Sequence, residues 1–287
     1  MRLDEILPDR LREGLTPAER RLLARVADGE EADFSAPDEG QNDPTQGAAW
    51  GPERTIRAAF LHWLCTDAQA ATCVPPKGIR IRGARIEGPL DFEGATLLHR
   101  LSLIRCAIPE GILLTDARAR RIDLSGSYIR GLHADGLAVE GDLVLSGARL
   151  ENPNGDALSA DGMTVEGSVF LDQGFHATGA VQLPGARIQG ALVCTEARFE
   201  NPNGIALNLE HARLGEIMDD EGSWPQRGRL RIDGLEYEGF AGDRTPKDAR
   251  RRLEWLRRQL PDFRPQPYDQ LPGSSAGWAG RRMPWRC

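Results

Sequence analysis

Between Gly83 and Leu214 the apolar residues recur in short sets with constant offsets. Leu90, Phe92, Ala95 and Leu97 form one set, and Leu101, Leu103, Cys106 and Ile108 the next. The same spacing returns at Ile112, at Ile122, at Leu132 and at Leu143, and after an insertion at Leu158, Ala160, Met163 and Val165. The offsets are 0, +2, +5 and +7. A helix cannot keep those positions on one face, whereas two short strands separated by a bend can. Each such unit is too small to bury its apolar side alone, so the pattern predicts a stack, a right-handed parallel β-helix.

Unit starts lie ten to twelve residues apart in the regular part, giving coils of about 20–23 residues. Aligning the starts predicts two columns: Ile112, Leu132, Leu158, Val181 and Leu207 in one, and Leu101, Ile122, Leu143, Val169 and Leu192 in the other. Successive coils should sit roughly 4.8 Å apart.

The stack is expected over residues 78–240, between a non-repeating segment 1–77 and a terminal helix within 241–271. Thr16-Pro17-Ala18-Glu19 carries the N-cap, first-turn proline and capping-box glutamate of a helix start. Residues 29–49 read as an acidic loop, and a second helix is predicted from Pro52 to Cys65 with Ile56, Phe60, Leu61 and Leu64 on one face. Thr245–Asp248 should open the last helix, which carries Leu253, Trp255, Leu256 and Leu260 with solvated basic residues between. Helices at both ends would cap strand edges and apolar faces that are otherwise open. The tail 272–287 has no periodicity. A shifted reading frame there can encode a continuing amphipathic helix, so a frame change near codon 271 is expected.

Two units carry the same insertion: Arg149–Gly155 (RLENPNG) matches Arg198–Gly204 (RFENPNG). Asn-Pro opens a turn and Asn-Gly supplies the positive φ that closes one. The alignment puts both loops on one edge, two coils or roughly 10 Å apart, with Gln173–His176 between them. This ridge brings together Arg149, Glu151, Asn154, Phe175, His176, Arg198, Glu200 and Asn203 as a candidate partner-binding edge. Outward positions of one column give a second candidate, a strip in which Val144, Phe170 and Val193 follow Ser102 and Asp123; three stacked exposed apolar residues call for a cover or a partner.

Composition narrows the chemistry. The net charge of −7 argues against nucleic acid as a partner. Five cysteines without metal or framework spacing, and no signal peptide, point to a reducing cytoplasm. Without an apolar run of about 20 residues, no integral membrane segment is expected. No glycine-rich phosphate turn opens a helix and the histidines are scattered, so no cofactor, metal or catalytic residue is assigned. Asp135, Asp161 and Glu210 share one column position, interrupted by Pro184, and read as solvated corner residues.

The Gly-Ala-Arg-Ile/Leu units at 83–86, 147–150 and 185–188, with the related 196–199 and 211–214, resemble pentapeptide-repeat proteins. Trp50–Arg57, the paired Asn-Pro-x-Gly segments, residues 174–177 and Phe263–Leu271 are similar to a group of actinobacterial repeat proteins labelled membrane-associated oxidoreductases. That resemblance implies peripheral membrane association and a redox activity, or a shortened, inactive relative of a membrane-attached protein. The residues themselves point to a non-enzymatic scaffold that binds a protein partner.

Overall fold

The computed structural model describes residues 3–259 and 266–267. It is a parallel β-solenoid of about seven turns. Each regular coil has four short strands, two from each sequence unit, and corresponding strands pair in parallel down the stack.

The four ladders can be followed by their inward residues. On the first face Ile79, Leu101, Ile122, Leu143, Val169, Leu192 and Ile217 lie in register. The second face carries Ile129, Leu150, Ala177 and Phe199, and the third Leu90, Ile112, Leu132, Leu158, Val181, Leu207 and Leu230. On the fourth are Leu97, Ala119, Val139, Val165, Ile188 and Leu214. Both predicted columns are present. All these residues are buried, and each aliphatic removed from water contributes about 1.5–3 kcal/mol.

The +2 and +5 residues flank a corner. There the +5 amide bonds back to the +2 carbonyl, as in Ala117 to Leu114, Leu137 to Ala134 and Ala148 to Leu145. The residue before each +5 position has positive φ, the signature of a type II turn. Glycine supplies it at Gly126, Gly136 and Gly147, while Arg105, Asp116, Glu196 and His211 adopt it with a side chain attached. At the N-terminal and C-terminal sides, two of these side chains reach outward to non-repeating segments: Arg105 pairs with Glu39, and Glu196 with Arg244.

A void in the lumen, about 10 Å³, is lined by Leu90, Phe92, Leu101, Leu103, Ile112, Leu114, Ile122 and Leu124. That is room for at most about one water, and an all-apolar wall gives water no partner.

Pairing begins upstream of Gly78. Ala32–Asp33 joins the first face beside Ile81–Arg82, and Thr55–Arg57 joins the second beside Arg85–Glu87. The predicted helix from Pro52 therefore starts only at Ala58 and runs to Thr66; the ladder claims the three residues before it. That helix packs on Leu90–Asp91 and Thr96–Leu97, the first strands of the third and fourth faces. His62 stacks on Phe92, with ring centroids 5.6 Å apart.

The predicted capping box is formed: the Glu19 amide donates to the Thr16 hydroxyl, and the Thr16 amide to the Glu19 carboxylate. Glu19 is fully buried and also accepts from the Arg57 backbone N–H and guanidinium, at 2.8–3.0 Å. Arg54 lies over the Trp50 ring at 3.6 Å and donates to the Gly83 carbonyl. The Trp50–Arg57 segment thus ties the N-terminal helix to the first coil.

At the other end the last helix is Ala249–Leu256, with Asp248 as N-cap. It begins later than expected because Thr245 is engaged elsewhere, its hydroxyl accepting from the Asp219 amide. Trp255 and Leu256 are buried and Leu253 is exposed. Arg252, expected on a solvated face, is instead buried. It forms two bonds to Asp219 at 2.6 and 2.7 Å, donates to the Pro246 carbonyl and lies 3.6 Å over Phe240. Leu260, the tail 272–287 and the frame change expected for it lie outside the described residues.

Candidate functional site

The second face and its edge hold the ridge. The outward ladder runs Tyr128, Arg149, His176, Arg198, and two positions along runs Glu151, Thr178, Glu200. Parity puts these side chains outside, because inward and outward positions alternate along each strand. His176 Nε2 lies 3.1 Å and Arg198 Nε 3.8 Å from the Glu200 carboxylate. Tyr128 donates to Glu151 at 3.1 Å. Burial first, and the Glu151 charge second, push the Tyr128 phenol above its ordinary pKa. Arg149 and Arg198 are exposed.

The two insertions share one contact but not one backbone: the first is extended within Arg149–Ser159, the second turns at 202–204, and the positive φ expected of Asn-Gly is taken in neither. Asn152 Nδ2 donates to the Asp156 carbonyl at 3.0 Å, and Asn201 Nδ2 to the Ile205 carbonyl at 2.7 Å. The expected 10 Å separation is corrected by the structure: Asn203 Nδ2 donates to the Pro153 carbonyl at 3.2 Å, so the loops touch. The reason is the coil between them. It turns at Gly179, whose φ is +122°, and a methyl group there would overlap the Asn152 oxygen and lie 2.8 Å from the Gly155 oxygen. With no side chain at that corner, the loops close over it. Arg229 holds the second loop from below, donating to the carbonyls of Gly204 at 2.8 Å and Pro202 at 2.9 Å. Pro153, Asn154, Gly155, Pro202 and Asn203 are exposed on the crest.

At the N-terminal side the chain's own residues Pro44–Ala49 pack on Arg85–Glu87 and Ala107–Ile108 of the same face. Asp43, just before them, is held below the usual carboxylate range by the Thr45 N–H, with the charges of Arg149 and Arg105 adding to it.

Phe175 does not belong to this surface. It is fully buried, 5.9 Å from the Phe199 ring. One extra residue in Asp172–Gly174 displaces the offsets, so Phe175 takes the inward corner position held by Ala148 and Ala197 in adjacent coils. The strip is corrected too. Val144, Phe170 and Val193 do stack outward in register, but Val144 and Val193 are only 8% and 7% exposed. Ladder neighbours less than 5 Å away cover most of a valine from both sides.

Comparison with protein-family models, with curated proteins and with solved structures finds no match.

The site therefore has to be read from its own geometry. Among the described residues no three His, Cys, Asp or Glu side chains are grouped to hold a metal ion. Of the stacked acids, Asp135 is used structurally: its Oδ1 accepts from the Ser159 hydroxyl at 2.6 Å and from the Asp161 amide at 2.8 Å. Burial pushes the thiol of Cys106 up to about 12 and raises Cys65 and Cys194 as well, the opposite of an activated nucleophile. No described helix is long and apolar enough to cross a membrane. The sequence reading missed Tyr128, Gly179 and Arg229. Gly179 carried a usable signal, being the glycine of the uninserted coil opposite two insertions. Nothing in the sequence ties Arg229 to a loop 25 residues away.

Proposed function

We propose that the chain is a non-enzymatic β-helical scaffold that binds a protein partner through the loop ridge. One observation carries the reading. The two insertions are joined to each other by Asn203 and Pro153, and anchored from below by Arg229, into one exposed polar shelf. Ordering a loop on binding costs affinity, so a shelf held in advance suits recognition, and inserted loops on one solenoid face are often the binding face. Polar Asn and backbone groups on the crest, with Arg149 and Arg198 beside them, fit a partner surface rich in hydrogen-bond acceptors and carboxylates. With two of its three members buried, the Val144–Phe170–Val193 strip has only a minor share.

The same reading places the protein in the cytoplasm, with a right-handed coil and helical caps, alongside the actinobacterial repeat proteins whose motifs it resembles. The test is affinity capture from the native cell with wild-type chain and with an Arg149→Glu/Arg198→Glu/Asn203→Ala variant shown to melt as wild type does. Loss of the captured partner in the variant is expected; equal recovery refutes the ridge as the binding surface.

A further inference from the structure

The end of a parallel stack poses a defined problem. Every coil offers backbone groups that the next coil satisfies, and the last coil has no successor. At the corner between the third and fourth faces the regular solution is visible twice. The Gly185 amide donates to the Glu210 carbonyl and the Arg213 amide to the Ala186 carbonyl; one coil on, the His211 amide donates to the Asp233 carbonyl and the Glu236 amide to the Ala212 carbonyl, at 2.8–2.9 Å. By register, the next pair of groups to be satisfied is the Gly234 amide and the Leu235 carbonyl.

Both are satisfied by one side chain. The Gly234 amide donates to Gln266 Oε1 at 3.0 Å, and Gln266 Nε2 donates to the Leu235 carbonyl at 3.0 Å. The preceding strand is covered by main chain: the amides of Gly228 and Leu230 donate to the Arg258 carbonyl, and Leu230 pairs in parallel with Gln259. The Leu230 bond repeats the one a coil earlier, where the Leu207 amide donates to the Arg229 carbonyl.

We propose that Gln266 ends the solenoid: its amide stands in for the peptide groups of a further coil and denies that place to a strand from a second copy of the chain. The chemistry is specific. A carboxamide presents one acceptor and one donor in the plane of a peptide group, whereas a carboxylate presents acceptors alone. Gln266 is therefore a working part of the fold, which gives a structural reason for glutamine at this position.

Hydrogen exchange of individual amides in the full-length chain tests the idea, with Gly185 as internal reference. In Gln266→Ala, exchange at Gly234 should rise about tenfold or more while Gly185 is unchanged, since a single hydrogen bond is opened locally. Gln266→Glu keeps an acceptor for Gly234, so most protection there should persist. Sedimentation velocity of Gln266→Ala should show association that grows with concentration beyond that of wild type. Unchanged exchange at Gly234 overturns the proposal. So does an equal rise at Gly185, which would mean general loosening, and so does a Gln266→Ala chain that sediments as wild type at every concentration.

Discussion

Phe175→Ala gives the most direct test of how the interior is filled. The corner position is small in the adjacent coils, Ala148 and Ala197, while the next inward position on the second face is large, Leu150 and Phe199. In the Phe175 coil the sizes are exchanged: a phenyl ring stands at the corner and Ala177 on the face, both fully buried. The ring packs on Phe199, the ladder neighbour of Ala177, so it fills the space a larger residue at 177 would occupy. Phe175→Ala should cost about 3–5 kcal/mol, the range for emptying a buried phenyl site. Ala177→Leu alone should cost about 1–3 kcal/mol by overpacking. The double variant recreates the pairing of the preceding coil, Ala148 with Leu150. If the two sites share one volume, its cost should fall below about 2 kcal/mol, although the single costs sum to about 4–8. The coupling energy is then at least about 2 kcal/mol, well outside the error of a double-mutant cycle. Urea unfolding followed by tryptophan fluorescence supplies the four stabilities, compared at constant m. Additive effects would refute the exchange of volume and with it this account of the corner.

Three further outcomes follow from named contacts. Gly179→Ala places a methyl group against the Asn152 and Gly155 oxygens at φ +122°; it should destabilise the chain by on the order of 1–3 kcal/mol and speed amide exchange in both loops, read by mass spectrometry. Asp219→Ala leaves Arg252 buried without its carboxylate and Trp224 Nε1 without its acceptor; a cost of about 3–5 kcal/mol is expected, and adding Arg252→Met should recover much of it in thermal melts. The buried thiols set an alkaline limit. Cys106 keeps its proton to about pH 12 in the folded chain, whereas an unfolded thiol ionises near pH 8.5. Its contribution is complete below that value and is lost as pH rises toward 12, and a thiol reagent at pH 8 should leave Cys65, Cys106 and Cys194 unmodified until the chain is unfolded.

The columns were legible because they depend on a local property. In a strand the side chain's direction is fixed by parity alone, so Leu132, Leu158, Val181 and Leu207 could be aligned without knowing what lies around them. Parity also placed Val144, Phe170 and Val193 on the outside correctly. It could not give their exposure, which depends on the coils above and below. Phe175 shows the limit of the method in one residue: its coil sets Val169, Leu171, Phe175 and Ala177 at offsets 0, +2, +6 and +8, and the extra residue moved a ridge candidate into the core.

The features that escaped are those in which a residue's role is defined by a group far along the chain. Arg252 has the sequence context of a solvated helix position, flanked by Arg250, Arg251 and Glu254, yet its guanidinium is buried against Asp219, 33 residues earlier. Glu19 looks like an ordinary capping-box glutamate and is one, but its buried carboxylate also receives Arg57, 38 residues later. Both pairs lie where a non-repeating segment meets the stack, and so do Arg54 over Trp50 and Gln266 on Gly234. The reason is physical. Inside the repeat each coil finds the same partners at a fixed distance in sequence, so local pattern suffices. At an end the partners are missing, and single polar side chains on otherwise unpatterned segments must replace them. The distinctive motifs of this chain at Trp50–Arg57 and Phe263–Leu271 hold such side chains. The part of the resemblance that lies in those two segments therefore bears on how a solenoid is closed, and the ridge has to be tested for binding on its own residues.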